Sequence, residues 1–164
     1  MILVLILLFT NLGIIFWQDN KIRQIHFLLP FVVFFSAYIL VNNITSIHSI
    51  ILNNLIFLVI TFSVLIIYMS IKNKKFSNPF KNYFGLGDLL FYVAISPIFL
   101  LKNYIIFFVL SMVFAISVQY FFKKHIKQDS VPLAGLSAFF LIIIIVKDIF
   151  FILKLGQVTL IKLL

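Results

Sequence analysis

Long apolar runs are the feature that most restricts what this chain can fold into. Residues 139–146, Phe-Phe-Leu-Ile-Ile-Ile-Ile-Val, are one example, and similar runs recur along the whole length. Such runs are typical of helices that cross a bilayer, and they lack the alternation of apolar and polar residues seen in membrane β-strands. With 64% hydrophobic and 10% charged residues, the chain has too little polar surface for a soluble domain. We therefore predict an all-α integral membrane protein.

The runs divide the chain into about six transmembrane helices within a single domain covering residues 1–164. The predicted spans are roughly 1–18, 26–41, 48–71, 86–101, 103–122 and 132–153. Polar residues that include Asn53 and Asn54 predict a surface segment just before the apolar run from Leu55. The first span has no basic residues before it and no small-residue cleavage site after it, so we expect a retained helix and not a removable signal peptide.

Basic residues in the connectors predict the orientation. The connectors after the first, third and fifth spans contain Lys21, Arg23, Lys72, Lys74, Lys75, Lys81, Lys123, Lys124 and Lys127, whereas the other two contain only Lys102. Positively charged connectors stay in the cytoplasm, so both termini are predicted to face outside. This distribution also explains the net charge of +9 without a nucleic-acid partner, and it favours contact with membrane lipid.

The carboxylates are few enough to be considered individually. The chain has no cysteine and no glutamate, and its four acidic residues are Asp19, Asp88, Asp129 and Asp148. Disulfides, thiolate nucleophiles and cysteine metal sites are therefore excluded, and we expect no metal or cofactor. Asp129 is predicted to lie in a solvated loop, and Asp148 toward the outer end of the sixth span.

Asp19 and Asp88 are predicted to reach the same membrane leaflet. Asp19 follows the first span at its cytoplasmic end, and Asp88 lies in the first turn of the fourth span, which starts from the same side. Carboxylates at such a depth usually face the interior of the bundle. Two neighbouring carboxylates in a low dielectric do not both ionise readily, so one can act as a base toward water while the other donates a proton. This pair is our candidate catalytic site.

The segment around Asp88 allows two interpretations. Gly85 and Gly87 lack side chains, so an extended substrate backbone could approach the carboxylate there, which makes both glycines candidate substrate-binding residues. Alternatively, the glycines belong to the start of the helix, where the negative charge of Asp88 is favourable.

Gly85-Leu86-Gly87-Asp88 resembles the GxGD motif of membrane aspartyl peptidases. Together with Asp19 and the following Lys21, Arg23 and Ile25, it is similar to the type IV prepilin peptidase and preflagellin peptidase family. Val131-Pro132 resembles a third family element, an Ile-Pro at the start of a late helix. The chain departs from the family pattern at His26, where a proline is usual, and at Leu90, where bacterial members often have lysine. It also lacks the paired cysteines of bifunctional members.

The resemblance implies a peptidase-only bundle of the GxGD aspartyl protease type, located in a prokaryotic cytoplasmic membrane with its active site facing the cytoplasm. The implied activity is aspartic endopeptidase cleavage of the short basic leader of a prepilin-like or archaellin-like precursor, with Asp19 and Asp88 as catalytic residues. The alternative is a small ion- or proton-coupled transporter, or a non-catalytic assembly factor, that uses the same carboxylates. The sequence leaves the oligomeric state open.

Overall fold

The computed structural model describes residues 1–42, 47–73, 85–122 and 132–155, and in the last range it describes side chains up to Asp148. These residues form six helices and no strand, which confirms the all-α prediction. The helices are α1 (Ile2–Ile22), α2 (Leu28–Val41), α3 (Ile47–Asn73), α4 (Leu86–Ala94), α5 (Leu101–Phe122) and α6 (Leu133–Leu155).

The helix lengths and surfaces are those of a membrane protein. Within the described ranges, α1, α3 and α5 are long and apolar enough to cross a bilayer, and α2 is a shorter apolar helix of 14 residues. Large apolar side chains such as Ile6, Val64 and Ile116 are more than half exposed on the surface of the bundle. Exposed apolar surface on this scale requires a lipid environment.

The first and last helices form the centre of the bundle. Helix α1 packs mainly against α6 and α2, while α6 also contacts α5 and α4. The buried side of α1 is a stripe of Leu8, Leu12 and Ile15, at the three- and four-residue spacing of one helix face. On α6 the buried stripe begins with the small residues Ala134 and Ala138, which allow close approach of the helix backbones.

Helix α4 is shorter than predicted. The apolar pattern predicts a span over 86–101, but the helix ends at Ala94 after nine residues. Pro97 provides the physical reason, because it has no backbone N–H and disfavours helical geometry in the residue before it. The chain turns through residues 95–100, all of them buried except Leu100, before α5 begins.

The prediction of a surface segment before Leu55 is wrong for Asn54, whereas Asn53 is exposed. Helix α3 already begins at Ile47, and Asn54 is completely buried within it. Its side-chain amide donates hydrogen bonds to the carbonyl oxygens of Ser96 (2.8 Å) and Phe99 (2.7 Å) in the turn after α4. Tyr104 similarly donates to the carbonyl oxygen of Tyr92 at 2.8 Å. Side chains from α3 and α5 thus satisfy carbonyl groups that α4 and its turn leave open.

Some sequence predictions lie outside the described residues. These are the predictions for most of the third connector and for the charge-free connector after Asn42. The others concern Lys123, Lys124, Lys127, Asp129 and Val131, the first residue of the Val131-Pro132 motif.

Candidate active site

The candidate site is built around the first turn of α6. Pro132 immediately precedes the helix, and its carbonyl oxygen accepts the first helical hydrogen bond, from Leu136. The amide groups at the start of a helix have no partner within the helix, and a proline before it has no polar side chain to offer them. The N–H groups of Ala134 and Gly135 must therefore find acceptors from elsewhere in the protein.

Asp19 provides the acceptor for Gly135. It lies in the last turn of α1, four residues after Ile15, so it continues the buried stripe of that helix and is only 6% exposed. Its Oδ2 accepts the Gly135 N–H at 2.6 Å. Helix α1 extends to Ile22, about four residues beyond the predicted span, which places this carboxylate inside the bundle at its end.

Asp88 provides the acceptor for Ala134. It is the third residue of α4, in the first turn as predicted, and its Oδ1 accepts the Ala134 N–H at 2.7 Å. Its Oδ2 accepts the N–H of Gly85, the residue that precedes α4, at 3.0 Å. One carboxylate therefore caps two helices, its own and α6.

The structure thus brings Asp19 and Asp88 together, as the sequence predicts. The two aspartates are 69 residues apart in the sequence, and they accept hydrogen bonds from adjacent amides at the N-terminus of one helix. The two carboxylates are close enough for their charges to interact. The partial positive charge of a helix N-terminus stabilises negative charge there. Each carboxylate oxygen has two lone pairs, so these bonds leave acceptor capacity for a water molecule.

Gly135 is a site residue that the sequence analysis did not identify. A Cβ atom at this position would lie 2.9 Å from the Asp19 Cβ and 3.3 Å from the backbone oxygen of Phe16. Only glycine allows α1 and α6 to approach this closely at the level of the carboxylate. Its signal in the sequence is its place three residues after Pro132, in the first turn of the helix that the late motif begins.

The two glycines before Asp88 have different environments. Gly85 is exposed, and a Cβ there would lie 3.1 Å from the Asp88 Oδ2. Gly87 instead faces the connector between α1 and α2, where a Cβ would lie 3.3 Å from the Cδ1 of Ile25. Gly87 and Ile25, which both belong to the motif resemblance, therefore lie close together. The binding of a substrate by Gly85 and Gly87 stays a prediction.

Arg23 ends α1 in an unusual backbone conformation beside Asp19. Its φ of 58° is in the left-handed region, which L-residues seldom adopt, and its N–H donates to the carbonyl oxygen of Asp19 at 3.1 Å. Partial burial lowers the pKa of the Arg23 guanidinium, and the charge of Asp19 acts in the opposite direction. Arginine stays protonated in proteins, so a cation is held beside the first carboxylate.

The other candidate residues lie apart from this pair. His26 is exposed, and its ring stacks on Phe27. Its backbone N–H donates to the side-chain oxygen of Gln18 at 3.2 Å. Asp148 lies 13 residues beyond Gly135 on α6. Among the described residues, no group of three or more histidine or acidic side chains could hold a metal ion.

No protein-family model matches the chain, and neither a curated protein nor a solved structure matches it. The features of the chain that bear on its function are therefore the geometry of the carboxylates and the motif resemblance.

Proposed function

We propose that this protein is an intramembrane aspartic endopeptidase that removes the short leader from prepilin-like or archaellin-like precursors. The observation that carries the proposal is the convergence of Asp19 and Asp88 on adjacent amides at the start of α6. The resemblance of Gly85–Asp88 and of residues 19–25 to the prepilin peptidase family adds the substrate class.

The chemistry requires only water and the two acids. One carboxylate removes a proton from water as its oxygen attacks the scissile carbonyl carbon, and the other acid donates a proton to the carbonyl oxygen. Collapse of the tetrahedral intermediate breaks the C–N bond. The acid that took the proton from water passes it to the leaving amine, and the other carboxylate recovers a proton from a hydroxyl group of the intermediate. The backbone bonds to Gly135, Ala134 and Gly85 hold both carboxylates in place, which supplies the positional precision such catalysis needs.

The proposed location is a cytoplasmic membrane of a prokaryote, with the site at the cytoplasmic edge. The basic residues Lys21 and Arg23, two and four residues after Asp19, support this orientation. A precursor whose apolar helix lies in the bilayer beside the enzyme would present its leader junction at this level.

The test is cleavage of a prepilin-type reporter by the purified protein in detergent. We expect Asp19→Asn and Asp88→Asn each to lower the cleavage rate about 10²- to 10⁴-fold, because asparagine cannot exchange the proton. Asp148→Asn, which makes the same chemical change 13 residues away from Gly135, serves as the matched control and should cleave normally. Full cleavage by both site variants would end the proposal.

The capping bonds favour a second candidate, a non-catalytic assembly factor in which the carboxylates only join helices. The asparagine variants separate the two candidates, because an amide oxygen still accepts the Gly135 N–H in Asp19→Asn and the Ala134 N–H in Asp88→Asn. Asp88→Asn gives up only the bond from Gly85, the residue before α4. An assembly factor would therefore keep its function in both asparagine variants and lose it in Asp19→Ala and Asp88→Ala. A peptidase loses activity in all four.

A further inference from the structure

Three buried hydroxyl groups, joined by hydrogen bonds, lie one helical turn from the carboxylate pair. The phenol oxygen of Tyr92 is 2.8 Å from the Ser111 Oγ and 3.1 Å from the Ser137 Oγ. All three residues are completely buried, and they come from α4, α5 and α6 respectively.

The direction of these hydrogen bonds follows from the partner of the Ser111 hydroxyl. The Ser111 hydroxyl donates to the carbonyl oxygen of Phe108 at 3.0 Å. Since a hydroxyl has one hydrogen, Ser111 must accept from Tyr92, and Tyr92 must then accept from Ser137. The row of hydrogen bonds therefore begins at the Ser137 hydroxyl and ends at a backbone carbonyl group of α5.

The positions of Tyr92 and Ser137 place these hydroxyl groups beside the carboxylates. Tyr92 follows Asp88 by four residues on α4, and Ser137 follows Ala134 by three residues on α6, so each lies on the same helix face one turn further along. The α4–α6 contact thus has two polar bridges, Asp88 to Ala134 and Tyr92 to Ser137.

We propose that Tyr92 is a positioning residue, which fixes α4 against α6 through Ser137 and so holds Asp88 on the α6 terminus. Helix α4 needs such a bridge because it has only nine residues and few turns to secure its register. The bridge acts on whatever chemistry Asp88 performs, and only the activity readout below rests on the proposed peptidase function.

The decisive variant is Tyr92→Phe, which removes the phenol oxygen and keeps the ring. We expect kcat for reporter cleavage to fall about 10- to 100-fold, because Asp88 is displaced from its catalytic position. KM should change less than about twofold, because the groups that bind the substrate are not affected. The pH profile of kcat should also change, whereas a loss of folded protein would scale the rate equally at every pH.

Serine variants supply matched comparisons. Ser137→Ala removes the same bridge from α6 and should reproduce the kinetics of Tyr92→Phe. Ser111→Ala should have a smaller effect, because the Ser137 hydroxyl still donates to Tyr92 and the bridge between α4 and α6 stays in place. Ser36→Ala removes a buried hydroxyl of α2 that bonds its own helix, and should cleave normally. If Tyr92→Phe does not fold, Ser137→Ala alone decides the question.

A distance measurement tests the inference without any activity. The chain has no cysteine, so spin labels can be placed specifically at Leu86→Cys on α4 and Ile143→Cys on α6, both exposed positions. Tyr92→Phe and Ser137→Ala should broaden the distance distribution between the labels, and Ser36→Ala should not.

Two results would overturn the inference. One is wild-type kinetics and an unchanged distance distribution in Tyr92→Phe and Ser137→Ala. The other is lower activity with an unchanged pH profile and unchanged distances, which would show a loss of folded protein only. Failure of the wild type to cleave the reporter would count against the peptidase proposal, while the distances would still decide the role of Tyr92.

Discussion

At the scale of single residues, the site depends on how closely two helix backbones approach. Asp19 can receive the Gly135 amide at 2.6 Å only because Gly135 has no side chain between α6 and the backbone of α1. The neighbouring atoms include the backbone oxygen of Phe16, which cannot rotate away as the end of a flexible side chain can. A single methyl group is therefore sufficient to disturb the carboxylate.

We accordingly expect Gly135→Ala to lower reporter cleavage about 100-fold, because the added Cβ displaces Asp19. Gly13→Ala is the matched control, since a Cβ at Gly13 meets nothing within 4 Å. The control should cleave normally and gain up to about 1 kcal/mol of stability, because alanine is the better helix former. Cleavage assays and thermal unfolding in detergent measure both effects. Normal cleavage by Gly135→Ala would contradict this account of the glycine.

At the scale of elements, the short helix α4 is held at both ends by groups from other helices. In its first turn, the Asp88 side chain accepts the Ala134 N–H of α6. The turn that follows α4 is held by the side chain of Asn54 in α3. An unpaired carbonyl group is costly where no water can reach it. The Asn54 side chain is therefore a structural requirement of the early end of α4.

Asn54→Leu should destabilise the protein by about 2–5 kcal/mol, because it leaves the carbonyl groups of Ser96 and Phe99 without their donor. Asn11→Leu is the control, since the Asn11 side chain bonds a carbonyl of its own helix, that of Leu7. We expect the control to change stability by less than about 0.5 kcal/mol. Chemical unfolding in detergent compares the two variants, and equal stabilities would refute this role for Asn54.

The elements also show what the sequence could predict. The pairing of Asp19 with Asp88 follows from counting apolar spans and locating basic connectors, which depend on local composition alone. The sequence does not predict that the α6 amides bind these carboxylates or that Gly135 is required there. Both features arise only when three helices that are distant in the sequence meet. Asn54 was placed at the surface because it follows other polar residues, and a buried amide that bonds a distant turn leaves no periodic signal. The end of α4 was missed although Pro97 signals it.

At the scale of the whole molecule, the proposed function requires the carboxylate pair to face the cytoplasm. Gln24, just after the end of α1, and Asn42, at the end of α2, are both exposed. Because α2 separates them, they should lie on opposite sides of the membrane, with Gln24 on the basic, cytoplasmic side.

Single-cysteine variants in this cysteine-free chain can measure the orientation. We expect a membrane-impermeant maleimide to label Asn42→Cys in intact cells and to label Gln24→Cys only after the membrane is disrupted. Labelling of both variants in detergent controls for reactivity. The opposite pattern would place the carboxylates at the outer face and exclude a cytoplasmic peptidase site.

The hydrogen bonds at the start of α6 also determine when the site can exist during biosynthesis. Asp19 is synthesised 116 residues before its amide partner, and Asp88 is synthesised 46 residues before its own. A nascent chain that ends before α6 therefore has both acids but no helix terminus on which they can converge. Under the proposed function, hydrolysis begins only after α6 has formed and packed against α1 and α4, so a partly synthesised enzyme cannot cleave its neighbours.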